Sequence, residues 1–222
     1  MAYLNWDTKI IEDFSPATIA GLYDAGYVFT RVGKGVMNKS RSFRIRMNDF
    51  EMSSENRRIA RKSERLALTV SPLPLSAEEY SWKIGKLAKD FYEAHDAVFS
   101  ANKVKELLTD GAASNFNALL TYTDSGTKTP VGYAICRLDT TGPKGILHYG
   151  FPFYATDPTE PSRGLGMMIK ATEHAKALGL EYIYLGSLQR PSDTYKLQFK
   201  GGEWFDGETW QTDTAPLKAI LT

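Results

Sequence analysis

The segment Asp157-Pro158-Thr159-Glu160-Pro161-Ser162-Arg163-Gly164-Leu165-Gly166 holds the residue types best able to do chemistry in this 222-residue chain. It lies between a strand-like run, Gly145 to Tyr154, and an amphipathic run, Met167 to Leu178; a second strand-like run, Glu181 to Leu185, follows. A strand, a glycine turn and a helix opening leave backbone N–H groups unpaired at the positive end of the helix. Such an end holds phosphate, or an oxyanion developing during acyl transfer. Gly164, Leu165 and Gly166 would supply the amides, and Arg163 a cation for phosphate. The same residues serve equally well as a tight turn with an exposed arginine. Asp157 can orient or deprotonate an amine, although an Asp before Pro is also a common local hydrogen-bonding device. With Tyr154 and His148 on the preceding strand it makes the candidate catalytic set.

The elements that must position these groups follow from period and punctuation. Residues 1–16 read as an irregular lead-in closed by Ser15-Pro16, and Ala17 to Ala25 as a helix stopped by Gly26. Tyr27 to Val32 and Ser42 to Met47 are strands across a Gly/Lys/Asn/Ser connection. Ser53 caps a helix to about Arg65, answered weakly by Asn56. Leu66 to Val70 is a strand. Ser76, with Glu78 and Glu79 in the first turn, opens a long helix to Glu93, and Asn102 to Leu108 forms a shorter one. Asn117 to Thr123, Val131 to Leu138 and Lys144 to Tyr154 are successive strands, with turns at Asp124-Ser125-Gly126 and Thr141-Gly142-Pro143. Gly202 to Gln211 is a hairpin around Asp206-Gly207. The pattern is α/β (α+β), a central mixed sheet flanked by helices and not a regular βα alternation. We expect one domain over 1–222, with 1–16 as lead-in and 27–70 as a basic strand–helix portion.

Composition narrows the function. Hydrophobic residues make up 42% and charged residues 24%, as in ordinary globular proteins. Net charge is +1, but residues 31–65 hold eleven basic and four acidic side chains, leaving the remainder acidic. That asymmetry suits a polyanion, and it also suits a solvated helix face. One cysteine, Cys136, excludes an intrachain disulfide; in its apolar run it reads as a buried, inert thiol. The three histidines show no metal-ligand spacing, so no metal is expected. No apolar run approaches the roughly 20 residues that span a membrane, and no leader is visible, so the cytoplasm is the expected compartment.

Two resemblances sit on these residues. The Arg163-Gly164-Leu165-Gly166 turn, between strands and before a helix and strand, resembles the cofactor loop of GNAT acyltransferases; Met168 stands where that loop has a small residue. A longer likeness is to arginyl- and leucyl-tRNA–protein transferases. Asp157-Pro158 with Leu165-Gly166, the run Ala177 to Gly186, and Tyr195-Lys196-Leu197-Gln198-Phe199-Lys200 resemble that family's segments in order. Arg44 to Phe50 and Asn56 to Ser63 resemble its basic strand and helix. The cysteine cluster that members carry before the basic strand is absent from Arg31 to Ser42, and Ser192-Asp193 replaces their Lys-Met.

This resemblance implies a GNAT-like fold with a mostly antiparallel sheet, and transfer of an aminoacyl group from charged tRNA to the α-amine of a protein or peptide. Aminoacyl-tRNA would be a co-substrate and no further cofactor would be needed. Arg44, Arg57, Arg58 and Arg61 would follow the tRNA backbone; Tyr184, Tyr195 and Lys196 would contact substrate. Two other readings stay open: an acyl-CoA-dependent N-acyltransferase holding CoA pyrophosphate on the same loop, and an inert relative that binds tRNA or protein.

Overall fold

The structure, a computed structural model, describes residues 4–141 and 144–221. The expected turn at Thr141-Gly142-Pro143 therefore falls mostly outside the described residues.

Polar residues set the helix starts. In α1 (Pro16–Asp24) the Ser15 hydroxyl accepts from the Thr18 N–H, and Pro16 occupies the first turn, where its missing donor costs nothing. Gly26, at φ +84°, ends the turn that follows α1. In α2 (Ser54–Lys62) the Ser53 hydroxyl accepts from the Asn56 N–H at 3.0 Å, and Asn56 Oδ1 accepts from the Ser53 N–H at 3.3 Å. That reciprocal box uses Asn where Glu or Gln is usual. The helix stops three residues short of Arg65, where a turn from Ser63 to Leu66 leads into a strand.

The expected long helix from Ser76 is shorter. Ser76 and Glu79 close a reciprocal box, but one turn forms and Ser81 caps a new start, so α3 spans Trp82–Glu93. A second serine able to bind the backbone offers a competing cap. Next come α4 (Ala101–Thr109), α5 (Arg163–Ala177) and α6 (Ala215–Ile220). The last was not expected, and neither was the 3-10 turn Pro191–Gln198.

Two strands were also missed. In a three-stranded antiparallel sheet ordered β1-β3-β2, β1 (Asp7–Ile10) lies in the expected lead-in, and β3 (Val36–Lys39) in the expected connection beside β2 (Tyr27–Phe29). Every side chain of β1 is exposed, so main-chain pairing to β3 holds it and no hydrophobic period marks it.

The larger sheet has eight strands: β4 (Ser42–Arg46), β5 (Leu66–Pro72), β6 (Ala118–Asp124), β7 (Thr129–Asp139), β8 (Ile146–Tyr154), β9 (Tyr182–Ser187), β10 (Gly202–Phe205) and β11 (Trp210–Gln211). Their order is β11-β10-β4-β9-β8-β7-β6-β5. β8 and β9 run parallel, whereas β10 with β11, β10 with β4, β4 with β9, β5 with β6 and β6 with β7 are antiparallel. This is the expected mixed, mostly antiparallel sheet.

By compactness the chain falls into two units. One comprises Met1–Arg57, Leu138–His148 and His174–Thr222; the other comprises Arg58–Arg137 and Tyr149–Glu173. The second unit buries Ile84, Val104, Leu107, Tyr122, Ile135, Phe153 and Met167. Cys136 is fully buried there, and burial pushes its thiol up to about 12, so it stays protonated and inert.

The first unit is organised around a buried cation. Arg44 is 3% exposed and donates from Nε to Glu203 at 2.7 Å, and from Nη1 to Asp24 at 2.8 Å and Tyr184 at 3.2 Å. Its guanidinium lies 3.9 Å from the ring centroids of both Tyr182 and Trp210. Burial opposes its charge, but Tyr184, Asp24 and Glu203 more than offset this and hold its pKa above the usual range. His148, 4% exposed, pairs through Nδ1 with the Tyr23 hydroxyl at 2.8 Å, and its burial holds it down to about 4.

Two expected outcomes follow. Glu203→Ala leaves Arg44 and Arg46 without their shared carboxylate, and denaturant melts should show a loss of about 3 kcal/mol. For His148, the unfolded chain binds a proton near pH 6.5 and the folded chain near pH 4. Its contribution, about 3 kcal/mol, is complete above pH 6.5 and lost as pH falls toward 4. Melts over that window should slope downward on acidification, and His148→Gln should flatten the slope; an unchanged slope would contradict the assignment.

Candidate active site

The glycine turn lies in the second unit, and its glycines are explained first by packing. A Cβ on Gly166 would stand 2.1 Å from Ser63 Oγ and 2.8 Å from Ser63 Cβ; one on Gly164 would stand 2.6 Å from the Tyr154 hydroxyl. Close approach of α5 to its neighbours therefore demands glycine at both positions. The Gly166 N–H bonds the Ser162 carbonyl at 2.9 Å, so it is not an open donor as expected. Among the described residues, the N–H groups of Gly164 and Leu165 bond no protein acceptor. They, with the Tyr154 hydroxyl beside them, are the donors this turn presents. Tyr154 is half-buried against Phe91, at 4.6 Å between ring centroids, and burial raises its pKa.

Arg163 is not the exposed phosphate-pairing cation that the sequence predicts. It is 8% exposed and folds over its own turn, donating to Ala155 O, to Glu160 Oε2 at 2.9 Å and to Asp157 Oδ2 at 3.5 Å. Its charge is already matched locally. Asp157 accepts from the Thr159 hydroxyl at 2.7 Å and the Thr159 N–H at 2.8 Å. The Thr159 side chain first, then its backbone, hold the Asp157 carboxyl below the usual carboxylate range. It is thus a persistent negative charge and a weak base. Met168, at the position where the GNAT loop has a small residue, is buried.

Three further candidates are corrected by burial. His148 is enclosed in the first unit with Tyr23 and is closed to a substrate amine. Arg44 cannot follow a tRNA backbone, because its donors are committed to Glu203, Asp24 and Tyr184. Tyr184, 1% exposed, lies 4.8 Å from Tyr23 and 5.8 Å from Trp210 between ring centroids, inside the core.

Tyr195 is 43% exposed, whereas its neighbour Lys196 is 6% exposed, with Nζ on the Ser187 carbonyl at 2.8 Å. On α2, Arg57, Arg58, Arg61 and Lys62 are all exposed. Asn56 and Ile59 face inward, which turns these cations outward on the helix.

Sequence reading missed Glu203 and Asp24. Glu203 and Arg44 were findable as single charges inside apolar strand runs, Gly202-Glu203-Trp204-Phe205 and Phe43-Arg44-Ile45; such charges are retained when paired. An open pocket of about 430 Å³ in the first unit is lined by Arg46, Asn48, Gly145, Leu180 and Glu181, among others, and contains none of the expected site residues. Among the described residues no group of three or more His, Cys, Asp or Glu side chains could hold a metal, and no helix is long and apolar enough to cross a membrane.

No protein-family model matches the chain. It is 26% identical over 220 residues to an aspartate/glutamate leucyltransferase from Alkalilimnicola ehrlichii, covering 93% of this chain and 87% of that one. Among solved structures it is similar to L-PGS from Bacillus licheniformis, at 12% identity and a TM-score of 0.51, covering 91% of this chain and 68% of that one. FemX follows at 10% identity and a TM-score of 0.50, covering 92% of this chain and 70% of FemX. A GCN5-related glucosamine N-acetyltransferase region of a fungal β-N-acetylglucosaminidase gives 10% identity and a TM-score of 0.50, covering 89% of this chain and 24% of that one. The fold is that of the GNAT-like acyltransferases, and with a leucyltransferase as its near-full-length relative the chain is an acyltransferase.

Proposed function

We propose that this chain transfers an amino acid from aminoacyl-tRNA to the α-amine of a protein or peptide, in the cytoplasm and with no cofactor beyond the charged tRNA. The observation that carries this reading is the match along nearly the whole chain to a leucyltransferase. That relative is named for leucine transfer and for aspartate and glutamate; we carry over its coarser chemistry, movement of an aminoacyl group to an amine. The outward cations of α2 support it, because a phosphate backbone is the ligand that a row of exposed arginines serves best.

In this reaction a neutral amine attacks the ester carbonyl at the tRNA 3′ end. A C–N bond forms, the C–O ester bond breaks, and the amine proton ends on the departing ribose oxygen. The Gly164 and Leu165 N–H groups, with the Tyr154 hydroxyl, are the donors for the tetrahedral oxyanion. Asp157, charged at neutral pH, orients the incoming amine and favours the positive charge that develops on it. The acyl-CoA reading has less support, since a pyrophosphate on this turn would face Asp157 and Glu160 with Arg163 already paired to both.

Two outcomes are expected. Charged tRNA should bind with an affinity that falls steeply with salt, and Arg61→Glu with Lys62→Glu should weaken binding and reduce the salt slope by about 2. Thermal stabilisation by acetyl-CoA, with no binding of charged tRNA, would move the assignment to acyl-CoA chemistry. Asp157→Asn should lower kcat/KM about tenfold or more with an unchanged melt; full activity in a folded variant would remove Asp157 from the mechanism.

A further inference from the structure

Three stretches of the first unit meet at the backbone of Glu181. The Glu181 and Tyr182 N–H groups donate to the Gly145 carbonyl at 2.8 and 3.2 Å, and the Glu181 carbonyl accepts from the Met47 N–H at 2.9 Å. These bonds fix the walls of the open pocket of about 430 Å³, which Arg46, Asn48, Thr140, Gly145, Leu178 and Glu181 line with their neighbours. That volume lies in the range of small-molecule sites. Leu178, 44% exposed, gives the pocket an apolar side.

The acceptors around this pocket lack donors. The half-buried Glu181 carboxylate makes no ion pair or hydrogen bond among the described residues, and neither the Asn48 amide nor the Thr140 hydroxyl is bonded there. The Glu181 charge reaches the Tyr182 hydroxyl, whose pKa it helps to raise. The negative end of α5 adds to it: the Leu178, Gly179 and Leu180 N–H groups pair with the His174, Lys176 and Ala175 carbonyls, and the Leu178 and Gly179 carbonyls beyond them accept nothing among the described residues. The neighbouring cations are already matched, Arg46 by Glu203 at 2.8 Å and Lys144 by Asp24 at 3.2 Å. A carboxylate, two carbonyls, an amide and a hydroxyl are satisfied together by a positively charged group with several N–H donors.

We propose that this pocket binds a primary ammonium group carried on a short chain, with Glu181 as its counter-ion and Leu178 against the chain. Two sources carry such a group, the α-amine of an amino acid or peptide and the side chain of lysine. The site stands independently of the transfer reaction, so its test uses binding alone. Calorimetry of the full chain is run with leucine N-methylamide and with Nα-acetyl-lysine N-methylamide, and uncharged Nα-acetyl-leucine N-methylamide is the comparison at equal ionic strength. One of the two ammonium compounds binds about tenfold or more tightly than the uncharged one; the tighter of the two names the source.

Glu181→Gln, which keeps the backbone bonds of the frame, removes that advantage, and Glu181→Lys, which brings its own ammonium, removes it too. Both variants melt as the parent chain does, because the Glu181 side chain has no partner to lose. Equal binding of the three compounds, or binding of none, would overturn the proposal, as would an advantage that persists in Glu181→Gln.

Discussion

The first unit depends on a single charge removed from water. Arg44 holds β4 to β10 through Glu203, to β9 through the Tyr184 hydroxyl and the Tyr182 ring, to β11 through the Trp210 ring, and to α1 through Asp24. A buried ion pair adds little stability over a well-packed apolar substitute, but a guanidinium left alone there is costly. The constraint is therefore one of arrangement: strands and helix must meet where carboxylates and rings enclose the cation. Glu203 also binds Arg46 at 2.8 Å, and Lys144 reaches Asp24 at 3.2 Å, so the network extends from the core to the surface.

In the second unit the corresponding constraint is space. Gly164 and Gly166 let α5 start against Tyr154 and Ser63, and Arg163 is drawn back over the turn by Ala155, Asp157 and Glu160. Two amides and one hydroxyl are left presented at the opening of α5. That inventory fits a neutral carbonyl becoming an oxyanion better than it fits a dianionic pyrophosphate, because the neighbouring carboxylates repel added negative charge. On the proposed reaction, the same turn would keep an acyltransferase frame and take an ester in place of a nucleotide cofactor.

Local chemistry made much of this legible. Ser15-Pro16, Ser53 with Asn56, and Gly26 mark helix ends because capping and positive φ are properties of single residues. The strand–turn–helix–strand run around Gly164 was visible because period and glycine coincide there. β1 and β3 were hidden, since short strands held by main-chain pairing leave no apolar signature. Ser76 misled because its box is genuine but closes only one turn before Ser81 starts another. The site was harder. Whether an arginine faces water or the core depends on partners far along the chain: the apolar run around Arg44 hints at burial, but the carboxylates that enclose it, Glu203 and Asp24, come from distant segments.

The central claim, aminoacyl transfer to an amine, is tested most directly by incubating the chain with a pool of radiolabelled aminoacyl-tRNAs and peptides that differ in their N-terminal residue. The account predicts label on a peptide α-amine, with one aminoacyl group and one class of N-terminus preferred. Label that stays on tRNA or appears only as free amino acid, from a folded chain that binds the charged tRNA, would contradict it.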